Sequence, residues 1–272
     1  MGYISNFFNF LTFIVFMIVI YNSPLSNASN LPQTKDEFCS RFGTSDQERE
    51  TIQDFSNNPE NLMAFKNDGG IFNGGVCWWH SRFQRNVFYL VIFKPDHNKA
   101  RNKSEIIKII HQIRMATKVV IIPGYATFEE FSKEHQELIQ KELNEWQTYD
   151  GIVLGGWRDG LKGDTSVAAF TLLTMMNKIY DYVAIKKKIA YQKLQIKGIT
   201  SHAWLIVGMK KTPEGIDLGY IDSNSPRLSK IYSYKYGDRS FTTSKYGNFV
   251  PYLGYTKEEE EKILQTAKEF CL

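Results

Sequence analysis

The first 34 residues contain no acidic or basic side chain; Lys35 is the first. Long apolar runs are also scarce. Outside Phe7 to Tyr21 no stretch approaches the ~20 residues needed to cross a bilayer, which excludes a polytopic membrane protein. Cysteine is limited to Cys39, Cys77 and Cys271, with no CxxC pair and no HExxH beside them, so the usual metal-binding spacings are missing. A dominant charge is absent too: 33 Lys and Arg against 29 Asp and Glu leave a net +4, too weak to argue for nucleic acid without an accompanying motif. What is present is a chain of 272 residues, 43% hydrophobic and 14% aromatic, too rich in core-forming side chains to be intrinsically disordered.

The uncharged start reads as a secretory leader. Phe7 to Tyr21 (FFNFLTFIVFMIVIY) is followed by the helix-breaking Pro24 and by small residues at Ser26 and Ala28, which fits a signal peptide over 1–28 cleaved after Ala28. Positive charge before the apolar core comes from the terminal amine alone. The competing reading is an uncleaved N-terminal anchor; both place residues 29–272 outside the cytoplasm, in a secreted or periplasmic setting. In an oxidising compartment three cysteines imply one bridge and one free thiol. Pairing Cys39 with Cys271 closes a loop of more than 200 residues, where the chain-entropy contribution is largest, and leaves Cys77 free.

Residues 29–70 are polar, with a helix expected from Ser45 to Phe55. The segment Asn67 to Gly75 (NDGGIFNGG) holds four glycines in its last seven residues, the mark of a backbone that turns tightly or approaches something closely. A helix is expected to start at Cys77. Val87 to Phe93 reads as a strand or a buried helix end, stopped by Pro95. Ser104 to Lys118 and Thr127 to Trp146 have the apolar spacing of amphipathic helices, Val119 to Ile122 reads as a short strand, and Asp164 to Lys188 as one long buried helix. Gly151 to Gly163, with five glycines, reads as a long loop. Ser201 to Lys210, a KTPEG turn and Ile216 to Asp222 form an expected hairpin, followed by Tyr-rich strand sequence and a terminal helix from Lys257. Helices first and an antiparallel sheet second imply an α+β fold.

Cys77 directly follows a Gly-Gly-x loop and opens a helix, which places its sulfur near unpaired backbone N–H groups and the positive helix end. Both favour thiolate over thiol. A thiolate nucleophile needs a partner to protonate the leaving group, and His202, at the start of an apolar strand, is the candidate. That base must be oriented through its other ring nitrogen. If the hairpin pairs, Asp222 lies beside His202; Asn224, two residues on, is the alternative. Asn73 and the Cys77 backbone N–H together form a candidate oxyanion hole.

Three patches resemble the papain-like cysteine peptidases: Gly75-Val76-Cys77-Trp78; Ser201-His202-Ala203-Trp204-Leu205-Ile206-Val207-Gly208; and Tyr220-Ile221-Asp222-Ser223-Asn224-Ser225. Together they cover about 25 residues in the order Cys, His, Asp or Asn, as in a divergent, bacterial-type secreted member. The resemblance implies a helical subdomain led by the Cys77 helix packed on a β-rich subdomain carrying His202 and Asp222. It implies hydrolysis of peptide or amide bonds in a protein or peptide substrate, with no metal, no cofactor, no nucleic acid and no stable membrane insertion once the leader is removed. Two departures stand out. Ile71 occupies the position six before the cysteine where that superfamily carries a Gln. The stretch between Ala28 and Cys77 is also short for a folded inhibitory propeptide.

Plainer readings compete at each position. Cys77 is equally a buried structural thiol, His202 a core histidine, Asp222 an Asx-turn cap and Asn73 a turn residue. His80, three residues after Cys77 on the same helix, is assigned to packing. Trp78, Trp79, Trp157 and Trp204 are assigned to core or cleft wall, with Trp157-Arg158-Asp159 lining either a groove or a solvated loop. Two other functions use the same residues: transglutaminase-like acyl transfer or deamidation, and a non-catalytic secreted binding protein.

Overall fold

The computed structural model describes residues 31–42, 53–69, 76–156, 158, 163–195, 201–252 and 256–272. The expected leader over 1–28 and most of the expected Ser45–Phe55 helix lie outside the described residues, although 53–55 is helical. The helical half comprises α1 (Lys35–Ser40), α2 (Cys77–Leu90), α3 (Lys103–Met115), α4 (Phe128–Glu134) and α5 (Gln136–Trp146). Each of three starts has a side-chain cap: Thr34, Asn102 and Thr127 accept from the backbone N–H of Glu37, Glu105 and Glu130 at 3.1, 3.1 and 3.0 Å. The cap on α3 falls two residues before the expected Ser104, and its end is set at Ala116, which takes the left-handed conformation at φ 52°.

Four expectations require correction. The helix expected over Thr127–Trp146 breaks at His135 (φ −112°, ψ 25°). The His135 ring packs edge-on against Tyr125 and Phe131 and bonds the Tyr125 hydroxyl at 2.8 Å, so tertiary contacts override the amphipathic repeat. The expected Asp164–Lys188 helix is shorter: α6 spans Ala169–Tyr180 and continues as a π-type turn, Asp181–Ile185. Its first residues pair elsewhere, with Val167 N–H donating to the Arg239 carbonyl and Asp164 carbonyl accepting from Val250, both at 2.9 Å. Only one face of it is buried, through Leu172, Met176, Ile179 and Val183, while Phe170 is 79% exposed. The Gly151–Gly163 loop begins helically, because Gln147–Val153 forms a second π-type turn; 157 and 159–162 lie outside the described residues. Finally, the helical half holds a small parallel sheet: β1 (Val91–Lys94) pairs with β2 (Val120–Pro123), with α3 as the crossover between them.

The main sheet is antiparallel and five-stranded, in the order β6-β5-β4-β3-β9, from β3 (Ala190–Gln195), β4 (Ser201–Lys211), β5 (Gly215–Asp222), β6 (Ser229–Lys235) and β9 (Pro251–Tyr252). Strand β4 is buried on both faces. Ala203, Leu205 and Val207 enter the core shared with α2 and the helical half. Trp204 and Ile206 enter a second core with α6 and the hairpin β7 (Phe241–Thr243)–β8 (Gly247–Phe249). Alternate side chains of a strand point to opposite faces, so the unbroken apolar run of β4 is what a central strand covered on both sides requires. The fold is α+β with an antiparallel sheet.

Helix α7 (Thr256–Cys271) returns to the helical half, where Cys39 and Cys271 form the disulfide across a separation of 232 residues. The same helix holds the rear of α2: Glu259 bonds Arg82 at 2.7 Å and the fully buried Arg85 at 3.0 Å, while Glu260 accepts from the Tyr89 hydroxyl at 3.2 Å. Replacing Cys39 and Cys271 by serine is expected to lower unfolding stability by about 2–5 kcal/mol, read as a fall in urea midpoint. Dithiothreitol should do the same to the wild type and leave the double variant unmoved; an equal midpoint for both proteins would show the bridge to be dispensable.

Candidate active site

Helix α2 begins at Cys77, with Val76 in a non-helical conformation before it and no side-chain cap on the helix. The first turn is fixed in the core by the buried rings of Trp78 and Trp79. The Cys77 side chain is 6% exposed, and its sulfur lies 3.7 Å from the backbone carbonyl oxygen of Ser201, one residue before His202. Ser81, one turn along the helix, reaches the Ala203 carbonyl at 3.5 Å. The Cys77 helix therefore lies directly against the start of β4.

The β4–β5 hairpin brings His202 to Asp222. Trp204 pairs with Asp222 in the register, so the two ends meet where the sheet stops. His202 Nε2 lies 2.8 Å from Asp222 Oδ1, with both side chains almost wholly buried. An ionised carboxylate only accepts, so Nε2 carries the hydrogen and Nδ1 is left for the Cys77 side of the ring. Asp222 rather than Asn224 is the histidine's partner. The strand ends at Asp222, and Asn224 sits in the following turn, where its backbone N–H donates to Asp222 Oδ1 at 2.9 Å. Asp222 is thus both the Asx-type cap of that turn and the partner of His202.

Two residues that sequence reasoning passed over complete the arrangement. Tyr246, in the β7–β8 turn, bonds both Asp222 oxygens at 3.1 and 2.8 Å and His202 Nε2 at 3.1 Å, and accepts from the Asn224 amide at 2.8 Å. Its ring stacks on His202 with centroids 4.6 Å apart. Asn67 ties the segment before Cys77 to the strand end. Its Oδ1 accepts from Val76 N–H at 2.6 Å, its amide donates to Asn224 Oδ1 at 3.0 Å, and its backbone N–H donates to the Ser223 carbonyl at 2.6 Å. The only sequence signals were the Tyr-rich stretch after β6 and the start of the glycine loop; neither names a partner. Asn73, the expected oxyanion donor, lies outside the described residues, as do Trp157 and Asp159.

The electrostatics follow from these contacts. Burial disfavours a charged His202 ring, but the charge on Cys77 and then the hydrogen bond to Asp222 outweigh it, raising its pKa to about 9. Burial likewise opposes ionisation of Asp222, and the donors His202, Asn224 and Tyr246 reverse this, bringing its pKa to about 2. His80 behaves oppositely: burial lowers its pKa to about 4, its Nε2 faces the Phe65 carbonyl at 3.0 Å, and its ring meets Phe65 edge-on. His80 is a neutral packing residue, as its place on the helix surface implied. Among the described residues no group of three His, Cys, Asp or Glu side chains is placed to hold a metal ion.

No protein-family model, curated protein or solved structure gives a significant match to this chain. The site rests on its own geometry.

The raised His202 value contributes stability that is complete below its ordinary 6.5 and is lost as pH rises through about 9. The lowered His80 value works the other way, so stability falls as pH drops from 6.5 through about 4. In histidine NMR titrations one resonance should titrate near 9 and another near 4. Cys77→Ala should lower the first and leave the second in place, because the Cys77 charge is the largest influence holding the His202 proton. A first resonance unmoved in that variant would separate the two side chains electrostatically.

Proposed function

We propose that the chain is an exported thiol hydrolase of the papain-like type, cleaving peptide or amide bonds through a Cys77 thiolate and His202 imidazolium oriented by Asp222. The observation that carries this reading is the buried 2.8 Å contact between His202 Nε2 and Asp222 Oδ1 on a ring whose proton is held by the charge on Cys77. A structural histidine in a core needs neither an ionised carboxylate on one side nor a free thiol on the other. Cys77 is free while the other two cysteines are bonded to each other. Export is supported by that disulfide and by the uncharged apolar leader. Among the described residues no helix is long and apolar enough to cross a membrane.

In this reading the Cys77 thiolate attacks the substrate carbonyl carbon. The oxyanion that forms is met by the Cys77 backbone N–H at the first position of α2, with the Asn73 amide proposed as the second donor. His202 gives its Nδ1 proton to the departing amine as the tetrahedral intermediate collapses to a thioester. Water then enters; His202 removes its proton, hydroxide adds to the thioester, and the Cys77 thiolate leaves as the carboxylic acid product forms. Asp222 stays ionised throughout and keeps Nε2–H directed away from the sulfur, which fixes the tautomer each step needs.

Incubating the oxidised, leader-free protein with a mixture of denatured protein and glutamine-containing peptides, followed by mass spectrometry, tests the reading. New chain termini are expected, with turnover reduced at least about 10³-fold in Cys77→Ala and about 10²–10⁴-fold in Asp222→Asn. The alkaline limb of the rate should fall near pH 9, where His202 loses the proton that the leaving group requires. Ammonia release without new termini would instead mark an acyl transferase or deamidase. Identical product profiles from wild type and Cys77→Ala, with equally slow iodoacetamide labelling of native and denatured Cys77, would assign the chain to binding.

A further inference from the structure

The β7–β8 hairpin sits in the layer beyond the sheet, on the face remote from α2. Its buried side chains Phe241 and Phe249 pack against Trp204, Tyr232 and Tyr234. Tyr246, in its turn, is the exception, because it sends a hydroxyl into the His202–Asp222 pair. That turn is itself pinned, with Tyr246 N–H donating to Thr243 Oγ1 at 3.0 Å and Gly247 taking φ +67°, a conformation that favours glycine.

A phenol has one hydrogen to donate and two lone pairs to accept with. The Tyr246 hydroxyl uses all three. Its short contact is to Asp222 Oδ2 at 2.8 Å, and an ionised carboxylate can only accept, so the hydroxyl hydrogen goes there. The lone pairs are then left for the Asn224 amide at 2.8 Å and for His202 Nε2–H at 3.1 Å. Asp222 Oδ1 takes the same Nε2–H at 2.8 Å, so that hydrogen is shared between two acceptors. Burial pushes the phenol's own pKa upward, and the Asp222 charge adds to this, so the hydroxyl keeps its hydrogen.

We propose that Tyr246 is a positioning residue for the reaction above. It acts through Asp222 by supplying the donor that keeps this carboxylate ionised in a dry site, and through His202 by holding the ring plane and the Nε2–H tautomer. The role as stated for turnover rests on the proposed hydrolase reading; the effect on the Asp222–His202 pair does not.

The test separates the two. In the Cys77→Ala background, which needs no activity, the carboxyl carbon of Asp222 is followed by NMR through an acid titration. Tyr246→Phe keeps the ring that stacks on His202 and removes only the hydroxyl. It should raise the Asp222 pKa from about 2 by at least about one unit and speed solvent exchange of the His202 Nε2 proton. Site-specific placement of 3,5-difluorotyrosine at position 246, a stronger donor of the same shape, should move both readouts in the opposite direction and serves where the phenylalanine variant folds poorly. In the protein with Cys77 intact, Tyr246→Phe should lower kcat by about tenfold or more with KM changed by less than about twofold. Asp222 titration and Nε2 proton exchange unchanged in both variants would overturn the proposal. Shifted titrations in a protein that turns over no substrate would retain Tyr246 as the organiser of the pair and remove the hydrolase reading instead.

Discussion

Strand β4 is covered on both faces, and the placement of the His202–Asp222 pair depends on that constraint. A strand with cores on either side cannot slip by one residue without exchanging its two sets of buried side chains. Trp204 and Ile206 belong to one core, and Ala203, Leu205 and Val207 to the other, so the register of β4 is fixed twice over. His202 inherits that fixity, as does Asp222 through the β5 pairing. The thiol is delivered separately, by a helix whose rear is clamped through Arg82 and Arg85 to the C-terminal helix. The site forms where these independently anchored pieces abut.

Burying a carboxylate there is possible only because its hydrogen bonds are complete. Removing such a group from water costs several kcal/mol, while a hydrogen bond to a charged group returns about 1.5–3 kcal/mol. One donor would be too few. Asp222 has His202, the Asn224 backbone and Tyr246, from three separate segments of chain, with Lys230 and Lys245 at 3.8 and 4.0 Å beyond them. The resulting group stays charged when its neighbour is charged and still faces almost no solvent. That combination gives the pair its directional hold on the imidazole.

Local signals in the sequence were sufficient for part of this arrangement. The glycine loop and tryptophans announced the start of α2 at Cys77, and the KTPEG turn announced a hairpin whose geometry alone brings His202 near Asp222. The odd cysteine count implied one bridge, and the long-loop argument favoured joining Cys39 to Cys271. What could not be read were partners chosen by tertiary packing. Tyr246 lies 44 residues from His202 and is one of 15 tyrosines, with nothing adjacent to distinguish it. Asn67 looked like the opening of a turn, and its bonds to Val76 and Asn224 span distances that no periodicity encodes. The break at His135 and the late start of α6 have the same origin, since tertiary hydrogen bonds and ring contacts displaced what helix propensity favoured.

The bridge between Cys39 and Cys271 makes the polypeptide between them a closed covalent ring. A single proteolytic nick anywhere within it, for example in the exposed stretch from Ile152 to Leu154, opens the ring without releasing a fragment. Cys77 and His202 would remain parts of one molecule after such a cut, and only a second cleavage or reduction of the sulfur–sulfur bond would let them diffuse apart. Wherever a protease meets the folded chain, this is durability by connectivity, separate from any depth of the folding free-energy well.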